Sequence, residues 1–318
     1  MTTVAVASRL PGRAEQELSA RFSVRLHRGD ALVDEDSVAD FIGTADGAVT
    51  LLANPITSRV LDRCASLRVV GNVAVGFDNI DVSAAEQRGV WITNTPDVLT
   101  EATADLAWAL VLAVTRRLRE AETYLRSGKF DGWGLELLLG TGLQGKTLGI
   151  VGFGRIGRAV ARRALASGMR VVATDVRPLD HLELEVELVE LEVLLAESQV
   201  VSLHAPLVES TRHLINEERL GLMPRGSVLI NTARGPLVDE EALAKMLSSG
   251  HLGGAGLDVF EHEPQVHPAL LDRSDVVLLP HVGSATVETR SRMAELAARN
   301  VIAVLEGREP PTPVVRGR

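Results

Sequence analysis

The sequence contains a single cysteine, Cys64, among its 318 residues. One cysteine excludes an intrachain disulfide and any metal site built from clustered cysteines. The chain also lacks an excess of basic residues: its net charge is −9, from 33 Lys and Arg and 42 Asp and Glu residues. Because neutralising nucleic-acid phosphates requires a basic surface, this composition argues against a nucleic-acid-binding protein.

Long apolar runs are also missing. No stretch approaches the ~20 uninterrupted apolar residues of a membrane-spanning helix, and the first residues lack the basic region and long apolar run of a secretion signal. A chain of this length, with 46% apolar and 24% charged residues, is expected to form two globular domains. These features predict a cytoplasmic protein that binds neither nucleic acid nor membrane, and no metal is expected.

Short apolar runs alternate with segments of helical spacing along the first hundred residues, and a second such series begins at Lys146. This alternation predicts βα units and parallel sheets. One helix is predicted over 100–127, and its apolar faces favour a domain junction, a subunit interface or the core. The other predicted helices are 13–22, 57–65, 83–87, 158–164, 191–196 and 287–305. The predicted strands are 4–7, 47–52, 67–71, 91–93, 147–151, 170–174, 200–203, 227–231, 256–259 and 276–279, with a shorter one within 182–189.

Three charged residues, Arg234, Glu263 and His281, each follow a different predicted strand. Ligands of an open parallel sheet bind beyond the carboxyl ends of its strands, so we expect these residues to converge on one cleft. A cation, an acid and an imidazole together can hold a carboxylate and move a proton. Taken singly, each could instead be an ordinary surface residue.

A glycine-rich turn joins the strand at 147–151 to a helical segment. Its pattern is GxGxxG, and an acid, Asp175, ends the next strand 18 residues after Gly157. This context predicts a dinucleotide site, with the pyrophosphate at the helix N-terminus and the acid at the adenosine ribose. Asp175 would repel a 2′-phosphate and favours NAD(H), whereas Arg177 leaves NADP(H) possible. The residues of the turn are Gly152, Phe153, Gly154, Arg155, Ile156 and Gly157.

Four motifs along the chain resemble those of the D-isomer-specific 2-hydroxyacid dehydrogenase family: Gly152-Phe-Gly-Arg-Ile-Gly157, Asn231-Thr-Ala-Arg234-Gly, Asp258-Val-Phe-Glu-His-Glu263-Pro and Pro280-His281-Val-Gly-Ser-Ala-Thr286. Within that family, the segments 72–81, 94–100 and 283–286 are most similar to glyoxylate/hydroxypyruvate reductases. The resemblance implies an α/β fold with two Rossmann-like, doubly wound parallel-sheet domains, one flavodoxin-like and one NAD-binding, and a cleft between them. The substrate domain would comprise 1–97 and 287–318, and the NAD-binding domain 98–286.

The resemblance also implies a role for each charged residue. His281 would be the general acid that protonates the carbonyl oxygen of a 2-keto acid, and the base in the reverse direction. Glu263 would hydrogen-bond its imidazole and keep it protonated near neutrality. Arg234 would bind the substrate's carboxylate and carbonyl oxygens, for which its planar guanidinium is suited.

Further positions carry over from the resemblance. The helix from Thr100 would be a homodimer interface, and Trp133 resembles a tryptophan that some reductases insert into the neighbouring subunit's pocket; alternatively it anchors its own loop. Substrate contacts are implied for Leu52, Ala53, Val75, Gly76 and Ser284. Cofactor contacts are implied for Thr103, His204, Pro206, Thr211, Thr232, Ala233, Asp258, His281 and Gly283, with Asp258 near the nicotinamide carboxamide.

Several substrates remain open at this point. Glyoxylate and hydroxypyruvate suit a small, apolar-walled loop around Val75. Phosphite dehydrogenases carry a lysine where this chain has Val75, and a phosphoglycerate would need basic residues near 52–75 beyond Arg59, Arg63 and Arg68. Some family members are instead NADH-sensing corepressors, a non-catalytic alternative.

Overall fold

The structure, a computed structural model, describes residues 1–177 and 184–317. The chain forms two compact units, Met1–Leu99 with Ser284–Arg318 and Thr100–Gly283. The predicted divisions fall at 97 rather than 99 and at 286 rather than 283. Within the described ranges, no helix combines the length and the apolar character that crossing a membrane requires.

The first unit is built on a mainly parallel sheet. Within the described residues, its strands lie in the order β13-β5-β4-β3-β1-β2, and β13 alone runs antiparallel to its neighbour. The order 2-1-3-4-5 of the first five strands is that of flavodoxin-like doubly wound folds. The strands are β1 (Thr3–Val6), β2 (Ser23–Leu26), β3 (Gly47–Thr50), β4 (Val69–Asn72), β5 (Trp91–Thr93) and β13 (Pro313–Val315).

Helices cover both faces of this sheet. Apolar residues of α1 and α12 form one core with the sheet, and those of α2, α3 and α4 form the other. The last helix therefore packs on the first unit, as expected for a segment that cannot complete another βα unit. The helices are α1 (Ala14–Ser19), α2 (Glu35–Ile42), α3 (Ser58–Arg63), α4 (Val82–Arg88) and α12 (Val287–Leu305).

The second unit contains a sheet whose strands are all parallel within the described residues. Their order is β12-β11-β10-β9-β6-β7-β8, so the direction of winding reverses between β6 and β9. This is the Rossmann order extended by one strand, and cofactors bind such sheets at the reversal point. The strands are β6 (Thr147–Val151), β7 (Arg170–Thr174), β8 (Val186–Leu188), β9 (Val200–Leu203), β10 (Ser227–Asn231), β11 (Leu252–Leu257) and β12 (Val276–Leu278).

Two predicted strands coincide only in part with the strands of the structure. The strand predicted at 256–259 is β11, which begins four residues earlier, because the small residues at 253–256 weaken the apolar signal there. Of the strand predicted within 182–189, residues 182 and 183 lie outside the described ranges, and the described part contains β8.

The prediction of a single helix over 100–127 was wrong. The structure has two helices, because Arg117 adopts a left-handed backbone conformation with φ = 53°. Its guanidinium pairs with Glu120 and donates to the carbonyl of Leu139, which holds the turn between them. The helices of this unit are α5 (Thr100–Thr115), α6 (Leu118–Arg126), α7 (Arg155–Ala166), α8 (Leu191–Glu197), α9 (Glu217–Leu222), α10 (Glu240–Ser248) and α11 (Pro268–Leu271).

Candidate active site

The three charged residues predicted to carry the chemistry follow three neighbouring strands. Arg234 comes three residues after β10, Glu263 six residues after β11, and His281 three residues after β12. These strands are parallel and directly paired. Their carboxyl ends therefore meet at one edge of the sheet, and the three segments lie there together.

His281 and Glu263 are in direct contact. Nδ1 of His281 lies 3.0 Å from Oε2 of Glu263, and the two side chains are 35% and 37% exposed. Oε1 of Glu263 accepts a hydrogen bond from the backbone N–H of Phe260 at 3.1 Å. Burial opposes the ionisation of Glu263. The hydrogen bond and charge of His281, the Phe260 N–H and the charge of Arg234 outweigh burial and lower the pKa of that carboxyl.

Asp258 fixes the backbone around His281. Its carboxylate accepts hydrogen bonds from the N–H groups of Val282 and Gly283, each at 2.7 Å, and its carbonyl accepts one from His281 at 2.9 Å. His281 has φ = 52°, a left-handed conformation that is unfavourable for most residues other than glycine. Burial raises the pKa of Asp258, against the lowering effect of the two N–H groups. This carboxyl, predicted as a nicotinamide contact, thus shapes the turn that presents the imidazole.

Arg234 is held by the end of β10. The side chain of Asn231 accepts the N–H of Ala233 at 3.0 Å and donates to the carbonyl of Arg234 at 2.8 Å. The guanidinium Nη1 of Arg234 donates to the carbonyl of Ala233 at 2.7 Å. Because the charge of Arg234 helps to lower the pKa of Glu263, the cation acts electrostatically on the same site as the acid and the imidazole.

The glycine-rich turn has the geometry of a dinucleotide-binding turn. Gly152 has φ = 91°, and a Cβ at Gly157 would lie 2.3 Å from the carbonyl oxygen of Gly152. Gly154 is the N-cap of α7, and the nearest atom to a Cβ there would be Nη2 of Arg177, at 3.6 Å. The helix N-terminus is therefore open where a pyrophosphate approaches. Phe153 is buried beside this opening, and Arg155 and Ile156 begin α7.

Asp175 follows β7 and closes one side of the turn. Its Oδ2 accepts the backbone N–H of Phe153 at 2.9 Å, and Arg177 donates to its two oxygens from Nε and Nη2, both at 3.2 Å. The Asp175 side chain is 6% exposed, whereas that of Arg177 is 68% exposed. Burial raises the pKa of Asp175, and the Arg177 hydrogen bonds and charge reverse that effect and lower it overall. The acid is ionised and its charge is largely compensated.

Other predicted cofactor positions lie around the same sheet edge. A Cβ at Gly283 would be 3.1 Å from Oδ2 of Asp258 and 3.5 Å from Cγ2 of Thr103, so these three residues are neighbours. The hydroxyl of Thr232 is buried, and it has no hydrogen-bond partner within the described part of the chain. An open helix N-terminus, a ribose-type acid and an orphaned hydroxyl beside Ala233 fit a dinucleotide.

His204 and Thr211 shape the segment after β9. The ring Nε2 of His204 lies 2.8 Å from Oγ of Ser202, and burial lowers the pKa of this histidine to about 4, so that the ring is neutral at pH 7. The hydroxyl of Thr211 donates to the carbonyl of Pro206 at 2.8 Å and accepts the N–H of Val208 at 2.8 Å. These contacts define the loop that a cofactor would meet next to the reversal point.

The predicted substrate loop of the first unit is organised by asparagines, which the sequence analysis did not assign. Nδ2 of Asn94 donates to the carbonyl of Val75 at 2.8 Å, and Nδ2 of the buried Asn72 donates to the carbonyl of Gly76 at 3.0 Å. Asn79 continues the network to the carbonyls of Leu51 and Asn54. Amide side chains at the ends of apolar strands were the available signal. Leu52 and Ala53 follow β3 in this unit, and Ser284 begins its C-terminal part.

Comparison with known proteins agrees with this site. Residues 108–283 match the NAD-binding domain of the D-isomer specific 2-hydroxyacid dehydrogenases. The chain is 46% identical to a glyoxylate reductase of Thermococcus onnurineus, covering 98% of this chain and 96% of the relative. A crystal structure of a Thermus thermophilus protein superposes with a TM-score of 0.93 at 49% identity, covering 99% and 100% of the two chains. An NADPH-dependent glyoxylate/hydroxypyruvate reductase from Sinorhizobium meliloti, solved with NADP and malonate, gives 0.88 at 35% identity, covering 100% and 99%.

The two parallel-sheet α/β units, the dinucleotide-binding turn and these similarities define an NAD(P)-dependent oxidoreductase. The chain belongs to the D-isomer specific 2-hydroxyacid dehydrogenase family. Both the family and the fold class predicted from the sequence are confirmed.

Proposed function

We propose that this protein reduces a small 2-keto acid, glyoxylate or hydroxypyruvate, to the 2-hydroxy acid. The observation that carries the proposal is the contact between His281 and Glu263 at the sheet edge that also receives Arg234. An imidazole held by an ionised carboxylate is suited to proton transfer, and a nearby guanidinium is suited to an α-keto carboxylate.

Each residue then has a defined task. A bound nicotinamide supplies or accepts hydride at the substrate's C2. His281 donates a proton to the carbonyl oxygen during reduction and removes it during oxidation. Glu263 fixes the ring through Nδ1, so that Nε2 is the nitrogen that exchanges the proton with substrate. Arg234 binds the carboxylate and carbonyl oxygens, and its charge stabilises negative charge that develops on the latter.

For the first unit, we propose that the backbone amides of Val75 and Gly76 bind the substrate carboxylate. Asn94 and Asn72 support this role, because they hold the two carbonyls and so orient the peptide groups of the loop. Leu52 and Ala53 would form a small apolar wall, and Ser284 would be a further polar contact. Relatives named glyoxylate reductase, at 46% and 48% identity, support glyoxylate as a substrate.

For the cofactor, we propose a preference for NAD(H). Asp175 is ionised and positioned at the end of β7, where a 2′-phosphate would meet its charge. Arg177 compensates part of that charge, which makes some use of NADP(H) compatible with the site. We also propose a cytoplasmic location, because the proposed reaction consumes reduced nicotinamide.

We also propose a homodimer. Exposed apolar residues favour an interface on α6 and the segment after it over one on α5. The helix α5 packs on its own sheet through Ala107, Leu110 and Val111, which explains most of its apolar character, although its Leu112 is 38% exposed. Exposed apolar side chains instead lie on α6 and in the segment after it. There Trp133 is 83% exposed, which argues against the loop-anchor reading and supports contact with a second copy. The other such residues are Leu118, Leu125, Phe130, Leu135, Leu137 and Leu139.

The test of the proposed function is a substrate panel. Purified protein is mixed with NADH or NADPH and with glyoxylate, hydroxypyruvate, pyruvate or phosphohydroxypyruvate, and oxidation of the cofactor is followed at the nicotinamide absorbance band. Phosphite with NAD⁺ is tested in the reverse direction. We expect the highest kcat/KM for glyoxylate or hydroxypyruvate with NADH. Measurable NADH binding without turnover of any 2-keto acid would favour the corepressor alternative instead.

A further inference from the structure

The segment 261–267, here called the Glu263 loop, carries the carboxylate that holds His281. It packs closely on the residue that follows Arg234: a Cβ at Gly235 would lie 1.9 Å from the carbonyl carbon of Phe260 and 2.4 Å from the nitrogen of Glu261. The position of this loop therefore determines where the Glu263 carboxylate lies.

A buried carboxyl group holds the start of the Glu263 loop. Glu240, the first residue of α10, is 5% exposed, and its Oε1 accepts the backbone N–H of Glu261 at 2.8 Å. The backbone N–H of His267 acts on the same carboxyl and helps to lower its pKa. One side chain on the helix α10 thus holds the first residue of the loop.

The contact at Glu261 leads directly to the acid–base pair. The preceding residue, Phe260, donates its N–H to Oε1 of Glu263, and Oε2 of Glu263 contacts Nδ1 of His281. Displacing the Phe260–Glu261 peptide would therefore move the carboxylate that orients the imidazole. Deviations of about 1 Å in such positions reduce rates by up to about 100-fold.

Charged groups surround Glu240 without taking over its role. The side chain of Glu261 pairs with His213 at 2.6 Å and with Arg212 at 3.2 Å, which fixes the loop from the outside. Burial raises the pKa of Glu240, as does the charge of Glu261, whereas the two loop N–H groups and the charge of His267 lower it. Burying a carboxyl is unfavourable unless it is hydrogen-bonded, and the backbone N–H of Glu261 supplies such a bond.

We propose that Glu240 is a positioning residue for the reduction: by holding the first residue of the Glu263 loop, it sets the contact between Glu263 and His281. This inference rests on the proposed roles of Glu263 and His281. It adds a residue that touches neither substrate nor cofactor and acts through the loop alone.

The test compares Glu240→Ala, Glu240→Gln and Glu263→Gln in the full-length protein. The control is Glu241→Ala, because Glu241 is the next residue of the same helix and pairs on the surface with Lys245, at 3.0 Å and with 70% exposure of its side chain. For each variant, the melting temperature, NADH affinity and the pH dependence of kcat with glyoxylate are measured. Glutamine keeps one carbonyl oxygen as acceptor and so serves as the conservative variant.

We expect Glu240→Ala to lower kcat about 10- to 100-fold. We also expect both Glu240→Ala and Glu263→Gln to move the basic limb of the pH profile of kcat to lower pH. In each variant the imidazole of His281 loses its carboxylate partner. The basic limb of Glu240→Gln should lie between those of Glu240→Ala and the wild type. NADH affinity should be unchanged in the Glu240 variants, and the control Glu241→Ala should keep the wild-type pH profile.

Two outcomes separate the possible failures. If Glu263→Gln does not move the basic limb, the proposed acid–base pair is wrong. If it does, but both Glu240 variants lower only the melting temperature and leave the limb in place, Glu240 is merely structural and the inference is overturned. Should Glu240→Ala not fold, a wild-type profile for Glu240→Gln overturns it equally.

Discussion

Nδ1 of His281 lies 3.0 Å from Oε2 of Glu263, and this contact assigns different tasks to the two nitrogens of one ring. The nitrogen facing the carboxylate orients the imidazole, and in the proposed function the other nitrogen exchanges the proton with substrate. The backbone of His281 is itself held by Asp258 in a left-handed conformation. Both the ring and the main chain of His281 are therefore held by carboxyl-bearing residues of the chain itself, Glu263 and Asp258.

Replacing His281 by asparagine should remove catalysis and leave the fold intact. Asparagine tolerates a left-handed backbone better than alanine does, so it suits φ = 52° at this position. Loss of a general acid typically lowers kcat about 10²- to 10⁴-fold. Steady-state kinetics with glyoxylate and fluorescence titration with NADH measure the two effects. His262→Ala, an exposed histidine of the Glu263 loop, is the matched control and should keep kcat. Equal loss of kcat and NADH affinity in His281→Asn would mean that its role is misassigned.

The pairing of Glu263 should appear in the acid stability of the protein. Its folded-state pKa lies below the ordinary value of 4.5, so the ionised carboxylate stabilises the native state above that pH and loses this effect as pH falls through the folded pKa. The difference in melting temperature between wild type and Glu263→Gln should therefore be largest near neutrality and shrink below about pH 4.5. A difference that stays constant over this range would show that the charge of Glu263 contributes no stability.

Two glycines of the cofactor turn should respond differently to alanine. At Gly154 the added Cβ enters open space at the N-terminus of α7, so we expect weaker NADH binding at an unchanged melting temperature. At Gly157 the Cβ would lie 2.3 Å from the carbonyl oxygen of Gly152, so unfolding should become easier, by about 1–3 kcal/mol as in other overpacked sites. Thermal unfolding and NADH titration of both variants check this. Normal NADH affinity in Gly154→Ala would mean that the pyrophosphate does not approach there.

Cofactor preference should depend on Asp175. Asp175→Asn keeps the shape of the side chain and removes its charge, which frees Arg177 to interact with a 2′-phosphate. We expect kcat/KM with NADPH to rise about tenfold, equivalent to ~1.4 kcal/mol, and that with NADH to fall. Adding Arg177→Ala to this variant should reverse the gain with NADPH. An unchanged ratio of the two cofactors in Asp175→Asn would show that another residue sets the preference.

Much of the fold is encoded in local sequence. Buried parallel strands are continuous apolar runs, which is why β6, β7, β9 and β10 were predicted with their observed bounds. The helix α12 was also predicted with its observed bounds, and the structure shows that Thr286 caps its start. By contrast, β2 and β13 were missed, because half-exposed edge strands have a weaker apolar pattern. The break at Arg117 was also missed, since its left-handed turn depends on contacts with Glu120 and Leu139.

The candidate site likewise contains residues that could be identified from the sequence and residues that could not. Residues with distinctive chemistry at strand ends, such as His281 and Glu263, were identifiable from the sequence, and the structure brings them into contact. Glu240 and Asn72 were not assigned roles, because their partners are backbone groups distant in sequence. Nothing in the spacing of Glu240 distinguishes it from Glu241, although one is buried and the other exposed.

The most direct measurement is the reaction itself. The wild-type protein is incubated with NADH and glyoxylate, and both the loss of nicotinamide absorbance and the formation of glycolate are followed. We predict that glycolate forms in a one-to-one ratio with the NADH consumed, and that His281→Asn forms almost none. The assignment of this chain as a 2-keto acid reductase would be contradicted if the protein binds NADH but forms no glycolate from glyoxylate. It would equally be contradicted if the protein forms no glycerate from hydroxypyruvate.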